Sequence, residues 1–178
     1  DSGKWTTQKK QESVSGDMVY WSIQAENTLG SKYFTVTDTI KDASTNAWNA
    51  TFYPETHYAL ESELEKAFKG VYSTDGKGLY VLLDDGKEVA YGSQQGDVTF
   101  TISYTKASET DAVTAFTIEV TSTDKKVKGI YLSAYPTHVD FTETPDGSTW
   151  VFKNDLMVDK EQTSAAYSYT KLTDFKKE

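Results

Sequence analysis

The sequence predicts an all-β sandwich with one short helix. Three observations predict it. Apolar residues alternate with polar ones through run after run, at the period of two that sends side chains to opposite faces of a strand. The 12 Tyr, 8 Phe and 4 Trp, with abundant Thr, supply the residue types that fill a pleated surface. Turn-forming Gly, Asp and Asn separate the runs at short intervals. A length of 178 residues suits one domain of ordinary to large size.

The elements follow in order. Residues 4–12 read as a first strand, with Trp5, Thr7 and Lys9 on one face. In DMVYWSIQAEN, Val19, Trp21, Ile23 and Ala25 alternate with Met18, Tyr20, Ser22 and Gln24. NTLGS reads as a turn into KYFTVTDTI, so the two runs are expected to pair as a hairpin or meander. Residues 42–57 are irregular and aromatic-rich. The helix is expected over about residues 58–69, where Leu60, Leu64, Ala67 and Phe68 follow an apolar stripe and Gly70 can close the C-terminus. TDGKG and DDGKE punctuate the short runs after it. DVTFTISYT turns Val98, Phe100, Ile102 and Tyr104 inward, and AFTIEVTS does the same with Phe116, Ile118 and Val120. KGIYLSAY, HVDFTET, TWVFKNDLMV and AAYSYTKL complete the set. About ten strands and a single helix point to an immunoglobulin-like β-sandwich. The sandwich is expected to occupy residues 1–158, with 159–178 an extra strand or the start of a junction, all within one domain.

Composition removes several functions. The net charge is -9 and every basic residue is Lys, so nucleic acid is not an expected partner. An anionic membrane surface is equally unfavourable. No run of about 20 apolar residues exists, so membrane insertion is not expected. The absence of Cys excludes thiol catalysis, cysteine–zinc sites and iron–sulfur clusters, and no cofactor is expected. A secreted chain without disulfides needs another way to resist unfolding. Neither a signal peptide nor a sorting signal flanks the sequence, which reads as a piece of a longer protein with neighbouring domains.

Three polar residues stand where apolar ones belong. Asn154 shares its strand face with Trp150, Phe152, Leu156 and Val158. Asp38 shares its face with Phe34, Val36 and Ile40, and Lys9 with Trp5. Burying them unpaired would cost several kcal/mol each, roughly. An amine, an acid and an amide can instead react: the Lys amine attacks the Asn amide carbon, ammonia leaves and an isopeptide bond remains. The amine must be neutral, which burial favours. The acid must be protonated to polarise the amide carbonyl and shuttle protons, which an apolar site favours. Contact distance supplies the effective molarity. Asn154 is the only asparagine after Asn49. Against this, a Lys near a strand end is usually solvated, and an Asn near an edge often bonds backbone.

VYWSIQAEN followed by TVTDTI resembles the collagen-binding-type (collagen adhesin A-region-like) domain of Gram-positive cell-wall-anchored adhesins and pilins. ESELEKAFKG is similar to that family's single helix, and FKNDLMV to its Asn-bearing last strand. The resemblance spans roughly residues 4–158. It implies an intramolecular Lys–Asn bond promoted by an Asp, with Asp38 as the catalytic acid and Asn154 as the acceptor amide. For the amine, parity with Trp5 favours Lys9, and a bulge would switch the choice to Lys10. The resemblance also implies an extracellular, cell-wall-anchored surface protein or pilus. Its partner would be a host extracellular-matrix or serum protein, collagen-like or other. A spacer role between wall and binder is the other role of such domains.

The remaining candidates are weaker. Trp48, Tyr53 and Tyr58, with Phe52, can line a ligand groove or simply pack a loop. With 24 aromatics, a carbohydrate-binding module is the alternative reading. His57 and His138 sit in no metal or triad motif, and no G-x-S-x-G elbow exists. Asp84, Asp85 and Glu88 lack the spacing of a calcium loop. Asn49-Ala50-Thr51 is a glycosylation sequon, which means little if the source is bacterial.

Overall fold

Apolar faces that alternate along so many strands can be buried only by stacking one sheet on another, and the chain does this with two sheets. The computed structural model describes residues 3–41, 44–45, 56–93, 97–107 and 110–172. The strands are β1 (Thr6–Ser15), β2 (Met18–Ser31), β3 (Tyr33–Ile40), β4 (Ser44–Thr45), β5 (His57–Leu60), β6 (Leu79–Leu83), β7 (Glu88–Ala90), β8 (Val98–Lys106), β9 (Ala112–Ser122), β10 (Val127–Val139), β11 (Thr149–Val158) and β12 (Glu161–Thr170). The helix α1 spans Glu61–Phe68. The first sheet runs β1-β2-β10-β6-β7 and the second β12-β11-β3-β9-β8, with β4 on β11. β5 pairs with β10 in one sheet and with β9 in the other, so it bridges them. The architecture is an all-β, immunoglobulin-like sandwich with one short helix. Among the described residues no helix is long and apolar enough to cross a membrane.

The core forms where the two inward faces meet. Val19, Trp21, Ile23, Ile130 and Leu132 of the first sheet face Phe34, Val36, Phe116, Ile118 and Phe152 of the second, all buried. Each such side chain contributes about 1.5–3 kcal/mol by leaving water. The helix seals one side by burying Leu64, Ala67 and Phe68, and Phe68 meets Phe116 edge-on at 5.6 Å. Gly70, at φ +93°, closes the helix, as expected from a glycine just past the apolar stripe. Its N–H donates to Ala67 and that of Val71 to Lys66, the paired bonds of a glycine-terminated helix.

Three expectations change. β2 and β3 do not pair: β2 lies between β1 and β10, while β3 lies between β9 and β11. The NTLGS segment bulges within β2, with Gly30 at φ +81°, the strand runs on to Ser31, and the chain then crosses from one sheet to the other. The helix begins at Glu61, three residues later than expected. The backbone of residues 57–60 is taken up by sheet pairing to β10 and β9, which outweighs helical periodicity. KGIYLSAY and the start of HVDFTET form one continuous strand, β10, and a 3₁₀ turn at Phe141–Glu143 follows.

β11 and β12 are joined through a two-residue turn at Asp159 and Lys160 and pair along their whole length. Asp159 adopts φ +51°, a conformation that Asp tolerates better than most residues. Its backbone N–H donates to the Thr35 carbonyl, and its side chain accepts from the Thr35 N–H.

Candidate functional site

Lys9 lies on β1 opposite Ile23, on the face that carries Trp5. Its side chain is completely buried, while Lys10 points to solvent. β1 does carry a register shift, but it falls between Gln11 and Ser13, past both lysines. The parity with Trp5 therefore reaches Lys9 intact. Asp38 on β3 is opposite Phe116 on β9 and Leu156 on β11, and Asn154 on β11 is opposite Ile40. Asp38 and Asn154 are thus diagonal neighbours on one face of the second sheet, within reach of each other's surroundings. Lys9 approaches this face from the first sheet.

A fourth residue joins them. Tyr135 on β10 is fully buried, and its hydroxyl lies between the other three groups. It donates to Asp38 Oδ1 at 2.6 Å, accepts from Lys9 Nζ at 2.8 Å and accepts from Asn154 Nδ2. Lys9 Nζ also donates to Asp38 Oδ2 at 2.5 Å. Both Asp38 oxygens are therefore engaged by Lys9 and Tyr135. The acid reaches the amide through the tyrosine rather than directly, which alters the expected contact with the Asn carbonyl. Asn154 Oδ1 is buried and has no hydrogen-bond partner among the described residues.

Tyr135 escapes the period-two reading for a physical reason. In KGIYLSAY, alternation from Ile130 and Leu132 would turn Ala134 inward and Tyr135 outward. The register of β10 against β2 slips here, so that Leu132 faces Ile23 but Tyr135 faces Trp21. Three positions of β10 span two of β2. This bulge reverses the phase, and Tyr135, Thr137 and Val139 become the inward set. Pro136 is the signal that sequence reading passes over, because a proline inside a strand marks an edge or a bulge.

The electrostatics follow from burial. Desolvation lowers the Lys9 amine to about 8, although the Asp38 charge and hydrogen bond work against it. Desolvation raises the Asp38 carboxyl, again opposed by Lys9 and by the Tyr135 hydroxyl. Both shifts move the pair toward its neutral form, an amine beside a carboxylic acid. Burial, then the Asp38 charge, pushes the Tyr135 phenol well above its usual range, so it stays protonated. A pair this deep gains little net stability from its attraction, because desolvation offsets it. What the arrangement does is bring an amine, a carboxyl and an amide together around one buried hydroxyl.

A second buried polar group sits nearby. His57 Nδ1 faces the Lys41 carbonyl at 2.5 Å, and Nε2 faces Thr137 Oγ1 at 2.9 Å. Trp21 Nε1 donates to the same hydroxyl at 2.8 Å. The carbonyl requires an N–H at Nδ1, and because burial keeps the ring neutral, Nε2 is left as an acceptor. Desolvation lowers its pKa from 6.5 to about 4. Above pH 6.5 both folded and unfolded states are neutral and nothing is lost. As pH falls from 6.5 to 4, the unfolded state takes up the proton first, and stability declines by roughly 3 kcal/mol. Urea titrations at pH 7 and pH 4 check this against His57→Gln, whose decline is expected to be smaller by about that amount. Equal declines would remove His57 as the cause.

Among the aromatic candidates, Trp48 and Tyr53 lie outside the described residues, as do Phe52 and the sequon at Asn49. Tyr58 is half-buried and stacks on His138 with ring centroids 5.4 Å apart. His138 Nε2 lies 2.5 Å from Glu63 Oε1. Tyr58 borders an open groove with Leu60, His138 and Asp140. Asp85 caps its own turn by accepting from the Lys87 N–H, and Asp84 accepts from the Lys126 N–H.

No family model matches the chain, and no curated protein matches it. Among solved structures it is similar to the crystal structure of ACE19, the collagen binding subdomain of Enterococcus faecalis surface protein ACE, at 13% identity and a TM-score of 0.41. That likeness covers 91% of this chain and 92% of that one. It is also similar to the N-terminal domain of the Streptococcus gordonii adhesin Sgo0707, at 13% identity and a TM-score of 0.39, over 95% of this chain and 32% of that one.

Proposed function

We propose that this domain is a structural and adhesive module of a bacterial surface protein, and that it stabilises itself by an isopeptide bond between Lys9 and Asn154. The observation that carries the crosslink is the buried cluster of Lys9, Asp38, Tyr135 and Asn154. The sequence resemblance to collagen-binding-type adhesin domains carries the adhesive role. Asp38 takes the proton of the Lys9 ammonium, which leaves a neutral amine to attack Asn154 Cγ. The Cγ–Nζ bond forms, the Cγ–Nδ2 bond breaks, and ammonia departs. The reaction happens once per molecule, so the domain is not an enzyme in the turnover sense. Its working role is to bind a host extracellular-matrix or serum protein, or to hold such a binder away from the cell wall.

The purified, folded chain is expected to be lighter than its sequence mass by one ammonia. A tryptic digest is expected to yield a branched peptide joining Lys9 to the segment around Asn154. A natively folded chain of full mass would overturn the crosslink. Binding to immobilised collagen and other matrix proteins tests the adhesive role, and an inert domain would leave only the spacer.

A further inference from the structure

We infer that the Tyr135 hydroxyl is the proton relay of the bond-forming step, carrying a proton from Asp38 to the departing Nδ2 of Asn154. The inference rests on the crosslinking reading above. A phenol hydroxyl has one proton to donate and two lone pairs to accept with. Tyr135 spends all three on this site: it donates to Asp38 and accepts from Lys9 and from Asn154 Nδ2. Among the described residues, Tyr135 is the only group bonded to Nδ2, the nitrogen that must leave. Asp38 is bonded to Lys9 and Tyr135.

An amide nitrogen leaves readily only as ammonia, so it needs a proton at the moment the Cγ–Nδ2 bond breaks. In the planar amide Nδ2 can only donate. Attack by Lys9 makes Cγ tetrahedral and gives Nδ2 a lone pair facing the Tyr135 oxygen. The Tyr135 O–H then turns from Asp38 to Nδ2 and passes its proton there, and the tyrosine oxygen takes the Asp38 proton in its place. Asp38 recovers a proton from the Nζ that has just formed its bond. At the end Nζ keeps one hydrogen, ammonia carries three, Asp38 is a carboxylic acid and the tyrosine is unchanged. No further reactant is needed. The ring is fixed for this task. It meets Phe116 edge-on at 5.4 Å, and Lys9 Nζ lies 4.4 Å from its centroid. The bulge in β10 is what turns it inward.

The test follows the intact mass of the whole chain at timed intervals after cell-free synthesis, for wild type and Tyr135→Phe, with circular dichroism to confirm folding. Phe keeps the ring contacts and removes only the hydroxyl. The variant is expected to lose ammonia about 10²-fold more slowly, the lower range for a positioned acid–base group. A Phe variant that crosslinks as fast as wild type overturns the relay alone. A wild type that never loses ammonia overturns the crosslinking reading, and the relay with it. If the Phe variant does not fold, 3,5-difluorotyrosine placed at position 135 decides. It keeps the hydroxyl and makes it more acidic, so a relay changes the rate several-fold, and an unchanged rate overturns the proposal.

Discussion

Asp38→Asn is expected to leave the chain at its full sequence mass, folded but uncrosslinked. The substitution keeps the shape of the side chain and an oxygen for the Tyr135 hydroxyl, but it cannot hold a transferable proton. Lys9 then has no base within reach to take its proton, and Nδ2 has no acid behind Tyr135. A loss of 10²–10⁴ in rate is the usual size of such an effect. Over the time of an expression and purification this reads as no bond at all. Both Asp38→Asn and Asp38→Ala remove the charge opposite Lys9, but the Asn variant is preferable because Ala also opens a cavity and takes away the oxygens to which Lys9 and Tyr135 donate. Intact mass and circular dichroism on the same sample decide the matter. A well-folded Asp38→Asn chain that has lost ammonia at the wild-type rate would mean that Asp38 is a bystander.

The second large effect is on melting. Lys9 and Asn154 are 145 positions apart. A covalent link closing a loop of that length restricts the unfolded chain by about 5 kcal/mol in the entropy treatment developed for disulfides. For a domain of this size, that corresponds to about 10–20 °C in melting temperature. Wild type is therefore expected to melt well above both Asp38→Asn and Asn154→Ala, and to resist proteolysis longer. Asn154→Ala should be the lower of the two variants. It also removes a buried amide and leaves the Tyr135 hydroxyl short of a partner. If all three melt within a couple of degrees while wild type has lost ammonia, the bond forms but does not stabilise the fold.

Much of this was legible in the chain. Strict alternation placed Val19, Trp21, Ile23, Phe34, Val36, Phe116, Ile118 and Phe152 in the core, and the same parity pointed Lys9, Asp38 and Asn154 inward. Local periodicity works because each strand face is read against its own backbone. What it cannot read is which strand lies beside which. The run from β2 into β3 looks like a hairpin, yet it is a crossing between sheets, because nothing local in NTLGS states whether the next strand turns back or moves across. The helix start at Glu61 was hidden for a similar reason, since two distant strands claim residues 57–60. Tyr135 was missed because one extra residue in β10 inverts the phase, and a bulge is set by the partner strand as much as by its own sequence.

The position of Lys9 and Asn154 has one more consequence. Lys9 lies on the first strand of one sheet and Asn154 on the penultimate strand of the other. With the bond in place, a pull between the two ends of the domain would enter along β1, cross a single side-chain bridge and leave along β11 and β12. Residues 10–153 would lie off that line of tension. At the reach of an extended chain, this shields about 500 Å of contour from being drawn out. Under load the part between the two linked residues would not lengthen, and the ladders formed among residues 10–153 would be spared the shear that separates the strands of an unlinked sandwich.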